Sequence, residues 1–106
     1  MDYNKLTADL VTAAAASREA AKGEDGGTCN LDSVFLVLPR AKEEKVNAAM
    51  TAAGVNGFKT RWLGSTGFLI APPGTGQGNS RCRGMEAMKK VLVNAGYDVS
   101  GYYQMD

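Results

Sequence analysis

The sequence predicts one α+β domain in which an alanine-rich N-terminal helix precedes a β-α-β-β-α-β core with a four-stranded antiparallel sheet. Three observations carry this prediction. Apolar residues recur at helical spacing in three stretches, they run continuously or alternate in four shorter ones, and glycine-rich punctuation separates the stretches. The 106 residues, 44% hydrophobic and 22% charged, suit a single core, divided into a helix over 1–22, a connection over 23–32 and the β-α-β-β-α-β unit over 33–106.

The first stretch, "KLTADLVTAAAASREAAK", is dense in strong helix formers and sets Leu6, Leu10, Ala13, Ala14 and Ser17 on one face. "GEDGGTCN" stops it, because three glycines among polar residues neither continue a helix nor bury anything. "SVFLVLP" (Ser33–Pro39) is continuously apolar and reads as a strand buried on both faces. In "RAKEEKVNAAMTAAG" the spacing of Val46, Ala49, Met50 and Ala53 predicts a second helix, with Gly54 as its stop.

"GFKTRWL" (Gly57–Leu63) alternates, with Phe58, Thr60 and Trp62 opposite Lys59 and Arg61, as a half-solvated strand does. "GSTGFLIAP" supplies a Gly-Ser-Thr turn and a second apolar strand over Phe68–Ala71, closing a hairpin. Past a glycine loop, Met85, Met88, Leu92 and Ala95 mark a third helix ending at Gly96, and "YDVSGYYQMD" alternates as a final strand, with Tyr97 and Tyr103 opposite Tyr102.

The order of the last six elements resembles the ferredoxin-like split βαβ arrangement. In that topology the first and third strands are central and the others form the edges, which suits two continuously apolar strands and two alternating ones. Helices then cover one face only, so apolar central strands need a second cover. The expectation is that the first helix provides it, with homodimerisation as the alternative; the chain is expected to be a monomer or a homodimer.

Net charge is +1, with six basic and eight acidic side chains in residues 1–58 and six basic and three acidic in 59–106. This is far below the excess of a dedicated DNA binder. No stretch reaches the roughly 18 apolar residues of a membrane span, and "MDYNKLTADL" lacks the apolar core of a secretory signal. A cytoplasmic protein with no membrane partner is expected.

The chain contains no histidine, which removes His-based catalytic pairs and His metal ligands. Two cysteines, Cys29 and Cys82, cannot complete a zinc site within one chain; free thiols are the default expectation, with a bridge between them as the alternative. Cys82 stands between two arginines in the first turn of the third helix, where cations and the helix dipole lower a thiol pKa. Even so, a small buried thiol is the expectation, because Glu43 and Glu44 read as a surface pair and no carboxylate constellation is set for acid-base work. No enzyme activity, cofactor or metal is expected.

The candidate site is the loop in "LIAPPGTGQGNSRCRGMEAM". Gly74, Gly76, Gln77, Gly78, Asn79, Ser80, Arg81 and Arg83 lie where backbone amides at a helix start wrap an anion, with Asn79 or Ser80 as N-cap. There is no Walker lysine, and Asn79 replaces the third glycine of a dinucleotide loop. Lys59 and Arg61 add charge, and Tyr102 offers a ring of the kind that stacks on bases in RNA-recognition domains, whose strand signature "TGFLIAP" lacks. The glycine-rich "GGTCNLD" is expected to be a structural turn.

Two functions remain. One is a small non-enzymatic interaction or regulatory protein, of the kind phages and mobile elements encode, binding a protein or nucleoprotein partner through loop 72–84 and exposed aromatics. The other is a nucleic-acid or nucleotide binder that uses the same loop and basic residues on phosphate. Arg81 and Arg83 are expected to contribute little to stability, as surface charges do.

Overall fold

A computed structural model describes residues 1–27, 31–76 and 78–103. The chain forms α1 (Tyr3–Ala21), β1 (Ser33–Val37), α2 (Glu43–Ala53), β2 (Gly57–Trp62), β3 (Ser65–Ile70), α3 (Asn79–Asn94) and β4 (Asp98–Tyr102). The sheet is antiparallel and four-stranded in the order β2-β3-β1-β4. The continuously apolar strands are thus its centre and the alternating ones its edges.

Local signals explain the helix ends. Asp2 caps α1 by accepting from the Lys5 amide at 3.0 Å. Gly54 closes α2 at φ 74°, a left-handed conformation that glycine adopts without steric cost.

Strand pairing assigns each side chain to a face. Val34, Leu36, Phe68, Ile70 and Val99 share one side and form a single buried cluster with Leu6, Leu10, Ala13 and Ala14 of α1, Val46 and Met50 of α2, and Met85, Met88 and Leu92 of α3. The helix layer therefore lies on that side.

The expected role of α1 as cover for the opposite face does not hold: α1 packs against α3 and α2 within the helix layer. The physical reason is its flat stripe of small residues, which suits close helix-helix approach. A Cβ at Gly84 of α3 would lie 2.8 Å from Ser17 Oγ, so the missing side chain lets the two axes come together. Ser17, buried in this seam, donates to the Pro73 carbonyl at 2.9 Å.

The uncovered face is closed by its own rings. Phe35 on β1 is 3% exposed although no helix lies over it. Trp62 on β2 meets it edge-on at 5.3 Å between centroids, and Tyr102 on β4 meets Trp62 at 5.0 Å. Gly67 on the intervening β3 makes room, since a Cβ there would lie 2.8 Å from Phe35 Cζ. Each edge-to-face pair adds about 0.5–1.5 kcal/mol beyond area burial.

The hairpin differs from expectation too. Strand β3 begins at Ser65, paired with Trp62, and the turn consists of Leu63 and Gly64 with φ 50° and 80° rather than Gly-Ser-Thr. Positive φ at both positions is the type I′ geometry, whose twist matches that of the strands. Leu63 accepts that conformation at roughly 1–2 kcal/mol, offset by the β2–β3 ladder.

Because Leu10 is fully buried between the helices, Leu10→Ala is expected to cost about 2–5 kcal/mol, read as a lower urea midpoint with an unchanged slope.

Candidate functional site

The amides of the glycine loop are already engaged, and by this chain's own carboxylate. Asp25, in the connection between α1 and β1, accepts through Oδ1 from the Gly78 amide at 3.0 Å, the Ser80 amide at 3.0 Å and the Ser80 hydroxyl at 2.5 Å. The Asn79 amide donates to the Gly26 carbonyl at 2.8 Å, and the Gly76 amide to Ser80 Oγ at 2.9 Å. Neither Asn79 nor Ser80 stands at the N-cap, which is Gly78 and has no side chain to give; Asp25 supplies the capping oxygen from elsewhere in the chain.

This contact accounts for the glycines. A Cβ at Gly76 would collide with the Asp25 carboxylate, and one at Gly78 with the Asp25 and Gly26 carbonyls. Gly74 has φ 77°, and a Cβ there would sit 2.8 Å from Arg18 Cγ. The loop is bare so that a second segment can lie against it. Gln77 of the expected site lies outside the described residues, as do Cys29 and Asn30.

Both loop arginines bond backbone. Arg81 Nε donates to the Asp32 carbonyl at 2.7 Å and Nη2 to Ser33 Oγ at 3.3 Å, fixing the start of β1. Arg83 Nε donates to the Ala20 carbonyl at 3.0 Å, and its Nη2 to Ala21 at 3.4 Å and Glu24 at 2.7 Å. It thereby satisfies carbonyls that the last turn of α1 leaves open, with a positive charge at the negative end of that helix. These are not the loosely solvated charges the sequence suggested.

Lys59 and Arg61 pair opposite Phe68 and Thr66, so they lie on the helix side of the β2 edge, where Lys59 comes within 4.0 Å of Glu43. Tyr102 lies on the opposite face. The structure therefore divides the expected residues into three groups: the loop with its arginines, the β2 cations, and Tyr102.

The uncovered face itself carries Phe35 and Val37 of β1, Phe58 and Trp62 of β2, Leu69 of β3 and Tyr102 of β4, with Asp98 at a corner as its one charged strand residue. Phe58 is 60% exposed. Beside it a groove of about 510 Å³ is lined by Leu31, Phe58, Leu69, Ala71 and Tyr102, together with Arg81. Sequence reasoning passed over Asp25, Phe58 and this groove. The acid between glycines in "GEDGG" was the signal for Asp25, and the alternation in "GFKTRWL" was the signal for Phe58.

Cys82 behaves opposite to the expectation from its arginine neighbours. Burial, then the nearby Glu86 and Asp32 carboxylates, push its thiol up to about 11, because Arg81 and Arg83 point away to their carbonyls. A second titratable group joins α1 to the turn before β4: Tyr97 Oη and Lys5 Nζ each donate to Asp9 Oδ2 at 2.7 Å. The Lys5 bond, with that of Tyr97, holds the Asp9 carboxyl below its ordinary value, and burial, then Asp9, raises the Tyr97 phenol. It is a tie between α1 and the turn before β4. Among the described residues no three His, Cys, Asp or Glu side chains group to hold a metal, and no helix is long and apolar enough to cross a membrane.

Set against known proteins, the chain matches no family model, no curated protein and no solved structure.

Two outcomes test this geometry. Asp25→Ala is expected to lower stability by about 1–2 kcal/mol, the cost of an N-cap, with Asp25→Asn retaining part of it, both read from chemical unfolding. In a Cys29→Ser background, alkylation of Cys82 should be slow at pH 8, where its raised pKa keeps it as thiol, and should speed up through a midpoint near pH 11.

Proposed function

We propose that this is a small non-enzymatic interaction protein that docks on a protein or nucleoprotein partner through the uncovered face of its sheet. The observation that carries the reading is a β-sheet face with no helix over it, nearly uncharged and rich in aromatic side chains, with Phe58 standing out from it. Depletion of charge at the centre and enrichment in Tyr, Trp and Phe are the compositional marks of an interface core. The reading shifts the contact from loop 72–84 to the aromatics, because the loop's amides and Arg83 are used within the chain.

The nucleic-acid alternative has less support for the same reason. Phosphate binding needs several cations gathered around the stacking rings, whereas Lys59 and Arg61 lie across the sheet from Phe58 and Trp62, which leaves Arg81 as the one cation among the described residues lining the groove beside Phe58. We further read the topology as ferredoxin-like, supported by the central β1 and β3, and the protein as cytoplasmic, in keeping with the free thiol of Cys82.

Capture of partners from the producing cell's lysate, with and without nuclease, by wild type and Phe58→Lys, tests the reading. Phe58 is exposed, so this change is expected to move stability by no more than about 0.5 kcal/mol. Capture by wild type should survive nuclease and be lost in Phe58→Lys. Capture that ignores Phe58→Lys, or that nuclease abolishes, would overturn it.

A further inference from the structure

We propose that the groove at one end of the uncovered face receives the C-terminus of a partner chain, with Arg81 binding the terminal carboxylate and the apolar lining seating the last side chain. The inference rests on the reading of this face as the interface and adds what part of the partner enters it.

Charge complementarity carries the argument. Among the described residues Arg81 is the only charged side chain lining the groove, which Leu69 and Ala71 also line. The ion pairs of the described residues do not include Arg81. Its guanidinium is half-buried and held in place by the Asp32 carbonyl and Ser33 Oγ, bonds that use two of its five N–H groups. A held guanidinium in an apolar groove is arranged for a planar anion, and a carboxylate fits the fork in a bidentate manner.

A chain terminus carries a carboxylate and an apolar side chain on one residue, which matches a single cation within an apolar lining. The polar groups of the lining favour a peptide over an acyl chain. Asn56 and Ser33 stand among the apolar residues, where a peptide offers amides to them and a fatty chain offers only methylenes. The volume of about 510 Å³ is that of an ordinary small-ligand site, sufficient for the last two or three residues of a chain.

The chain's one tryptophan reports on occupancy, because Trp62 touches Tyr102 and Tyr102 lines the groove. The full chain would be titrated with acetyl-Gly-Leu-Leu as free acid, with the same tripeptide as C-terminal amide, and with octanoate, following Trp62 emission. The free acid should saturate and bind at least about tenfold more tightly than either other probe, the factor expected of a charge-assisted bond. Ala71→Glu, which sets a carboxylate in the groove and leaves the bonds of Arg81 intact, should abolish binding of the acid. Arg81→Gln should reduce it to the level of the amide, with folding checked by circular dichroism.

Equal binding of acid and amide would overturn the carboxylate assignment. Equal binding of octanoate and tripeptide would overturn the peptide. If neither peptide binds while Phe58→Lys still abolishes partner capture, this inference falls and the interface reading stands; capture that ignores Phe58→Lys brings down the interface reading instead.

Discussion

A single carboxylate ties the connection after α1 to the glycine loop and the start of α3. The first amides of any helix lack partners within the helix and carry its positive end, and α3 begins at a glycine that has no side chain to offer them. Asp25 arrives from a connection 53 residues earlier than Gly78 and fills that end with an anion. The exchange is mutual, because Arg83 in the next turn of α3 reaches back to the open carbonyls of α1. Two helix ends of opposite polarity are thus satisfied by side chains from each other's neighbourhood. The close seam of Ala13, Ala14 and Ser17 against Gly84 is held at the end where it would otherwise fray.

The same economy keeps most of the molecule's charges off its apolar face, Arg81 at the groove and Asp98 at a corner excepted. Arginines that the sequence placed beside a glycine loop serve backbone carbonyls, and the β2 cations lie on the helix side of their strand. What faces outward from the sheet is a row of rings braced edge to face across the gap left by Gly67. Such bracing holds Trp62 and Tyr102 against each other in the free chain, which in the proposed docking would lower the entropy lost on binding. Phe58, outside the row, is the most accessible ring of the face.

Much of the fold is legible in the sequence because it rests on local periodicity. Val46, Ala49, Met50 and Ala53 mark α2 and Gly54 its end, and the contrast between "SVFLVLP" and "GFKTRWL" separates a central strand from an edge. What escaped the sequence depends on contacts between residues far apart in the chain. Nothing within "GEDGG" states that its acid reaches Ser80, and nothing around Arg83 states that its partners are the carbonyls of Ala20 and Glu24. A glycine-rich turn that cradles an external phosphate and one that cradles an internal carboxylate have the same composition, because both need bare backbone. The side on which α1 packs was equally hidden, since a stripe of small residues suits a helix seam and a sheet alike.

The edges of the sheet bear on how the protein behaves in a crowded solution. An antiparallel sheet that is not closed leaves two rows of unpaired amides and carbonyls, on which a neighbouring chain can add a strand and begin a fibre. Here β2 displays Lys59 and Arg61 along such a row, and β4 is only five residues long and carries Asp98. Like charges brought together along β2, and a short edge strand at β4, make growth of that kind unfavourable. The cations that the sequence offered as phosphate ligands thus contribute to solubility: they keep an aromatic, one-sided sheet from polymerising through its margins while its face stays open.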